Sequence, residues 1–476
     1  MIWYLSYIII YFLFMFSLGF YYYTKVKTSK DYLIASWNMG FWSIVGTIVS
    51  TFCGAAVFIG WVGMGFTVGL SGFFQFALPA VVFSILLIAI FAKPLRRQKL
   101  FTIAELFTIR FGGKTGIIPS CLSAFIYSVP TLALQMVGMT TVFTIAFGME
   151  VNTGLIIAFI LILGFTVLGG LPATIITDAI QSIVLVIGIL SLFVASIYYG
   201  GGLSDILSNT PIEYISPIGP NGLVSVLLFA LSVGPFYLIW QSTWQRIFAS
   251  KSESVAQKAG ITGFLIAGAI SILPYSIGVI ARNYVPHDIN PDLIFTYVTV
   301  ELLPPQIGGI VLVGLLAALM TGATSFILQG SSNLTVDLYK QLLNKNASEK
   351  KLMIASRITV GIISLLGLLV AFNLTDIVSM YQWALRLSAS TLVFPFLAIM
   401  FWKRVTKIGV ITSMGVTLIA TLIYPYLNIG VDHTIFGLSI SLITIVLFSL
   451  FTKHSTTEQV RAVYWEDLDS KKRVVS

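Results

Sequence analysis

The sequence predicts an all-α polytopic membrane protein of about thirteen transmembrane helices, ten of them forming two inverted five-helix repeats. Three observations predict it. The 476 residues are 57% hydrophobic and 9% charged, whereas a soluble domain carries about a quarter charged residues. Apolar runs of ~20 residues recur along the chain, each long enough to span a ~30 Å hydrocarbon layer as a helix; a β-barrel would show alternating segments of ~10 residues instead. Two of these runs, five crossings apart, are interrupted by glycine and proline, the spacing of repeats that each open with a broken helix.

The crossings fall at roughly 3–24, 41–66, 73–93, 116–147, 153–170, 173–199, 222–247, 256–281, 307–338, 352–372, 377–401, 407–427 and 434–452. A single transmembrane domain therefore occupies 1–452, with repeats at about 41–199 and 222–401, and a short polar tail follows at 453–476. The first run lacks a basic leader and a small-residue cleavage site, so it reads as a retained span. Loop charges set the orientation. Lys25, Lys27 and Lys30, then Lys93, Arg96, Arg97 and Lys99, then Lys251, then Lys340, Lys345, Lys350 and Lys351, then Lys403, Arg404 and Lys407 occupy alternate loops. The opposite loops hold almost none, Arg282 being the exception. An odd number of crossings then places the N-terminus outside and the C-terminus in the cytoplasm, with the chain integral to the plasma membrane.

Composition excludes several classes. The formal charge of +9 is spread over short loops rather than gathered on one domain, which argues against nucleic acid. Cys53 and Cys121 both lie in apolar runs and give no disulfide framework. His287, His433 and His454 lack metal-ligand spacing. Catalytic triads and phosphate-binding loops are also missing from the pattern, so the chain does not read as an enzyme and needs no organic cofactor. Its partners are the lipid bilayer and a small-molecule solute.

Where the helices break is where chemistry concentrates. The second crossing contains VSTFCGAAVFIGWVGMGF, interrupted by Gly54, Gly60, Gly63 and Gly65; the seventh contains ALSVGPFYLIWQSTWQR, with Gly234–Pro235 near its middle. Proline removes an N–H and clashes with the preceding turn. Backbone freed in this way is tolerated in a membrane only against protein or a wet cavity. In the ninth crossing, Ala318, Thr321 and Gly322 share one face. That small face serves either close helix packing or, with a threonine hydroxyl and carbonyls from a broken helix, oxygen ligation of a hard cation.

The stretch MYQWALRLSAS puts Arg386 inside an apolar run. It lies about ten residues into its crossing, ~15 Å at 1.5 Å per residue, hence mid-membrane. A lipid-facing charge there costs about 3 kcal/mol even on the lenient scale, and arginine cannot shed its proton. The guanidinium therefore faces the bundle interior or water. Three acceptors fit: carbonyls of the broken crossings, Asp178, or a carboxylate on a solute, which suits bidentate pairing.

Six segments in order resemble the sodium:solute symporter family: SKDYLIASWNMGFW, FTIAELFTIRFG, VLGGLPATIITDAIQ, WQRIFASKSESVAQKA, GLLAALMTGATS with its following DLYK, and FWKRVTKIG. The resemblance covers about 25–410. It implies a leucine-transporter-type fold, an outside N-terminus and inward, sodium-driven uptake by alternating access. It further implies a Na⁺ site built from the carbonyls of Ser50, Cys53 and Ala318 and the hydroxyl of Thr321. The next position, where the family supplies a second hydroxyl, is Gly322 here, so one oxygen is missing and H⁺ stands as an alternative coupling ion. Asp178 matches an aspartate on the family's inner cation path. Gln382, Trp240, Gln241, Ser242 and Gln75 fall at positions that face the solute, with Phe52 and Trp383 as apolar and stacking surface. Sugar-binding positions of the family are filled by Val57 and Ile266, and the aspartate of its proline carriers by Phe52, which disfavours both solutes. The expected activity is import of a small carboxylate-bearing solute, a monocarboxylate or amino acid, by cation symport. The alternatives are an H⁺-coupled carrier of the same fold and a sensor that binds solute without moving it.

Overall fold

The computed structural model describes residues 2–54, 56–373, 377–427 and 430–454. The crossings are α1 (Ile2–Lys25), the interrupted pair α2 (Phe41–Phe52) and α3 (Val62–Val68), α4 (Leu78–Arg97), α5 (Val129–Phe147), α6 (Val151–Tyr199), the interrupted pair α7 (Gly222–Val233) and α8 (Gln241–Ala249), α9 (Glu253–Ala281), α10 (Pro305–Ser332), α11 (Glu349–Phe372), α12 (Ile377–Phe401), α13 (Lys407–Ile423) and α14 (His433–Phe451). Short side-chain caps set several starts. Ser252, Ser348 and Thr406 accept from the amides of Val255, Lys351 and Gly409, and the Asp432 carboxylate accepts from those of Thr434 and Ile435. Each satisfies an N–H that helix geometry leaves without a partner.

The spans expected at 153–170 and 173–199 are two helices that meet at Gly170 with no loop between them; together they make a continuous stretch of 49 residues, α6. Straight, it would measure ~74 Å, more than twice the hydrocarbon thickness. It folds at Gly170, whose φ of 57° and ψ of −160° are open to glycine but not to an L side chain. A Cβ there would also stand 2.6 Å from the Tyr32 ring. Counting α6 as two crossings and α2–α3 as one, the described residues make thirteen.

The core is built on α10, most of whose residues are buried. Against it pack α6 and α5, with α2 lying on α6 and α9 on α2. Approach is closest where side chains vanish: a Cβ on Gly46 of α2 would lie 2.6 Å from Ala179 Cα of α6. Lipid tails give helices no hydrophobic reason to associate, so such backbone proximity and interhelical hydrogen bonds carry the packing.

Both expected breaks are present. Regular helix in α2 ends when the Cys53 amide bonds the Val49 carbonyl at 3.0 Å, and Gly54 turns the chain away. In the second, α7 ends at Val233, beside Gly234–Pro235, and a further opening follows at Trp240. Pro235 cannot bond the Leu231 carbonyl, but its φ of −57° keeps a helical turn over Phe236–Ile239, with amides of Tyr237 and Leu238 reaching the carbonyls of Gly234 and Pro235. The backbone opens at Trp240, where ψ is 100°, and α8 restarts at Gln241.

Candidate functional site

The two breaks meet, and they meet through aromatic rings. Phe52, the last residue of α2, lies 5.9 Å from the Tyr237 ring, 6.5 Å from Trp240 and 5.7 Å from Trp61. Tyr237 and Trp240 are 5.3 Å apart, nearly perpendicular. Phe76, next to Gln75, joins the cluster against Trp61 and Tyr237. The Tyr381 hydroxyl interacts with those of Tyr127 and Tyr237. Trp240 Nε1 is buried beside the Tyr127 hydroxyl.

Helix α12 packs on the Phe236–Ile239 turn and brings Gln382 and Arg386, one turn apart and both half-buried, to the same neighbourhood. Arg386 Nη2 donates to Gln382 Oε1 at 3.5 Å, and its Nε is buried with no acceptor. Gln75 is buried and donates to Ser71 Oγ at 3.2 Å. Trp383, by contrast, is exposed and lies 5.6 Å from the His433 ring.

Two of the sequence-predicted solute contacts point elsewhere. Gln241 is buried and clamps the segment before the short helix Ala104–Phe111: its Oε1 accepts from the Ile103 amide at 2.8 Å and its Nε2 donates to the Phe101 carbonyl at 3.3 Å. Ser242 accepts from Arg246 Nη1 at 2.8 Å.

Ser242 belongs to a buried polar lattice made by residue pairs at helical spacing. Thr47 and Ser50 come from α2, Asp178 and Gln181 from α6, Ser242 and Arg246 from α8, Thr321 and Ser325 from α10. Arg246 Nη2 reaches Asp178 Oδ2 at 3.1 Å, with each side chain 1% exposed. Arg246 also donates to Thr47 at 2.8 Å and to Ser325, and Thr47 donates to Asp178 Oδ2 at 2.6 Å. Asp178 Oδ1 has no hydrogen bond. On the other side of the lattice, Thr321 Oγ1 donates to Gln181 Oε1 at 2.8 Å and lies 2.9 Å from Ser50 Oγ, while Gln181 Nε2 donates to the Tyr11 hydroxyl at 2.6 Å. Cys53 and Ala318 are fully buried beside this chain of oxygens.

The partner of Asp178 is thus Arg246, not Arg386. Sequence reasoning singled out neither Arg246 nor Thr47, Gln181 and Gln135. The signal available was the i, i+3 and i, i+4 spacing of its partners.

A second buried set closes the end of the bundle that carries the lysine-rich loops. The Asp337 carboxylate accepts from Thr102, Ser120 and Asn333 at 2.9, 2.6 and 3.1 Å. Glu105 accepts from the amides of Phe101 and Thr102, and burial nevertheless holds its carboxyl above the usual range. At the opposite end, Arg282 donates to the Phe66 carbonyl and stacks 3.6 Å over the Tyr214 ring.

Residues 32–416 match the sodium:solute symporter family over most of the chain. The chain belongs to that family. Sodium/myo-inositol cotransporter 2 of Bos taurus is 27% identical over 96% of this chain and 78% of its own length. The sodium/pantothenate symporter of Haemophilus influenzae is 24% identical over 89% of this chain and 90% of its own. A Na⁺-coupled sialic acid symporter in its substrate-bound outward-open state superposes with a TM-score of 0.84 at 18% identity, covering 95% of this chain and 99% of that one. The leucine-transporter-type fold with its paired inverted repeats is therefore that of this symporter, a multi-pass integral membrane protein. The family is one of sodium-coupled solute carriers.

Proposed function

We propose that this symporter imports a small carboxylate-bearing solute, a monocarboxylate or amino acid, together with Na⁺. The observation that carries the solute class is Arg386: a half-buried guanidinium beside the broken helices, which among the described residues is held by Gln382 and has no partner for its Nε. A planar fork with free donors suits a carboxylate. Gln382, Trp240 and Gln75 supply further polar contacts, and Phe52 the apolar wall. Among the relatives, pantothenate and sialic acid carry a carboxylate and myo-inositol does not, so the relatives alone do not choose.

Na⁺ is placed between the end of α2 and α10, on the carbonyls of Ser50, Cys53 and Ala318 and the Thr321 hydroxyl. A helix end leaves its last carbonyls without helical partners, which supports the choice. Asp178, tied on one oxygen by Arg246, lines the path by which the ion leaves. The positive residues in alternate loops support an outside N-terminus, a cytoplasmic C-terminus and a plasma-membrane setting.

The test is uptake into proteoliposomes of a panel of monocarboxylates, amino acids and neutral polyols under imposed Na⁺ or H⁺ gradients. At least one carboxylate is expected to accumulate with inward Na⁺. Arg386→Gln should raise its KM by about 10- to 150-fold, the equivalent of the ~1.5–3 kcal/mol of a charge-assisted pair. If every carboxylate ignores both gradients, or the variant transports with unchanged KM, the solute assignment is wrong.

A further inference from the structure

The hydroxyl absent at Gly322 leaves the proposed Na⁺ site one oxygen short, and the space it would fill is occupied. A Cβ on Gly322 would stand 2.8 Å from Gln135 Oε1 and 2.9 Å from its Cδ. Gln135, on α5, is 3% exposed, and its Oε1 is buried with no hydrogen bond among the described residues. An amide carbonyl in that condition keeps its desolvation penalty unless something electropositive meets it.

What it faces is the end of α2. A Cβ on Gly54 would lie 4.0 Å from Gln135 Oε1, 4.0 Å from the Ala318 carbonyl and 3.7 Å from the Thr51 carbonyl. Three oxygens from three helices therefore lie within 4.0 Å of one point where α2 stops. The neighbouring hydroxyls are already engaged: Thr324 donates to the Thr321 carbonyl at 3.1 Å, and Ser325 takes the Arg246 guanidinium. Neither stands in for the lost group.

We propose that the side-chain carbonyl of Gln135 is a Na⁺ ligand in this chain, replacing the hydroxyl that Gly322 lacks. Glycine at 322 and glutamine at 135 then form one unit, the first making room for the second. Amide oxygens are good ligands for hard cations, and this one comes from α5, a helix outside the α2–α10 pair. The inference rests on the Na⁺ site proposed above.

The test is thermal stabilisation of the purified full-length chain by NaCl against choline chloride at constant ionic strength. The variants are Gln135→Leu, Gly322→Ser and the double Gln135→Ala, Gly322→Ser. Wild type is expected to be stabilised by Na⁺. Gln135→Leu should raise the half-saturating concentration by about tenfold or more, on the scale seen when metal sites lose a supporting group. Gly322→Ser alone should also weaken the response, because its new side chain collides with Gln135. The double variant, with a hydroxyl where the amide was displaced, should regain most of the wild-type response. If wild type responds and Gln135→Leu responds equally, Gln135 is not a ligand although the Na⁺ site stands. If wild type shows no response to Na⁺, the site itself is wrong and the inference falls with it. Should Gln135→Leu fail to fold, the double variant decides: folded but blind to Na⁺, it overturns the proposal.

Discussion

Arg246 and Asp178 offer the sharpest test of how this fold tolerates charge in its centre. Each is 1% exposed, and the arginine also holds Thr47, Ser242 and Ser325. Replacing Arg246 by methionine keeps an unbranched apolar stem, removes the guanidinium and strands a buried carboxylate whose Oδ1 has no hydrogen bond among the described residues. Breaking a buried pair from one side costs ~3–5 kcal/mol, whereas replacing both partners with apolar groups is often neutral. Asp178→Leu should cost a comparable amount, because it strands the guanidinium. The double variant should cost less than either single one. The coupling in the cycle is then several kcal/mol, above the ~0.5 kcal/mol within which independent sites add. Thermal unfolding in detergent reads it. A domain of 150–250 residues shifts by about 2–4 °C per kcal/mol and larger chains by less, so each single change should lower Tm by up to about 10 °C, with recovery in the pair. Losses that simply add, or single variants as stable as wild type, would refute the view that the two charges neutralise each other.

The set around Asp337 predicts a latch. Asp337→Ala removes the acceptor of Thr102, Ser120 and Asn333, each charge-assisted bond being worth ~1.5–3 kcal/mol. Alkylation of the half-buried Cys121, beside Ser120, should quicken by about tenfold or more, and an unchanged rate read by mass spectrometry would show that this end is held by other contacts. Arg282→Ala should free the segment containing Tyr214 through loss of a cation–π contact of ~0.5–2 kcal/mol, seen as faster proteolysis within Leu203–Ile215. Asp31, in the first turn of the short helix Ser29–Ile34 after α1, supplies a pH test. Burial raises its pKa, but hydrogen bonds from Ser36, Thr28 and Lys27 outweigh this and hold it below the ordinary 3.8. Its contribution to stability is therefore complete above that value and lost as pH falls through the depressed one, so Asp31→Asn should flatten the acid limb of a stability–pH curve.

Much of the architecture was written in hydropathy. Each crossing had its own apolar run, and Gly54 marked the end of α2 because a break in a membrane helix must advertise itself with residues that tolerate it. The run at Val151–Tyr199 was read as two spans for the right physical reason, length, although the chain turns without a loop. Gly234–Pro235 marks where α7 stops, whereas the further opening at Trp240 has no glycine or proline of its own and is legible only in the backbone. The site was legible in parts. Arg386 stood out by its surroundings, and Gly322 by what it lacked. Pairings did not, because which oxygen meets which cation depends on how helices rotate against one another. Gln241 could be placed near a break but not seen to reach back to Ile103, and Gln135 acquires meaning only once α5 is laid against Gly322.

The turn at Gly170 has a consequence for how a carrier of this kind can move. With Tyr32 filling the space beside it and no connecting residues to absorb strain, the two halves of α6 share a hinge of a single residue. Neither can slide lengthwise without dragging the other. Asp178 and Gln181 ride on the second half, so any tilt of that half carries the buried lattice of Arg246, Thr47 and Thr321 along in the same stroke.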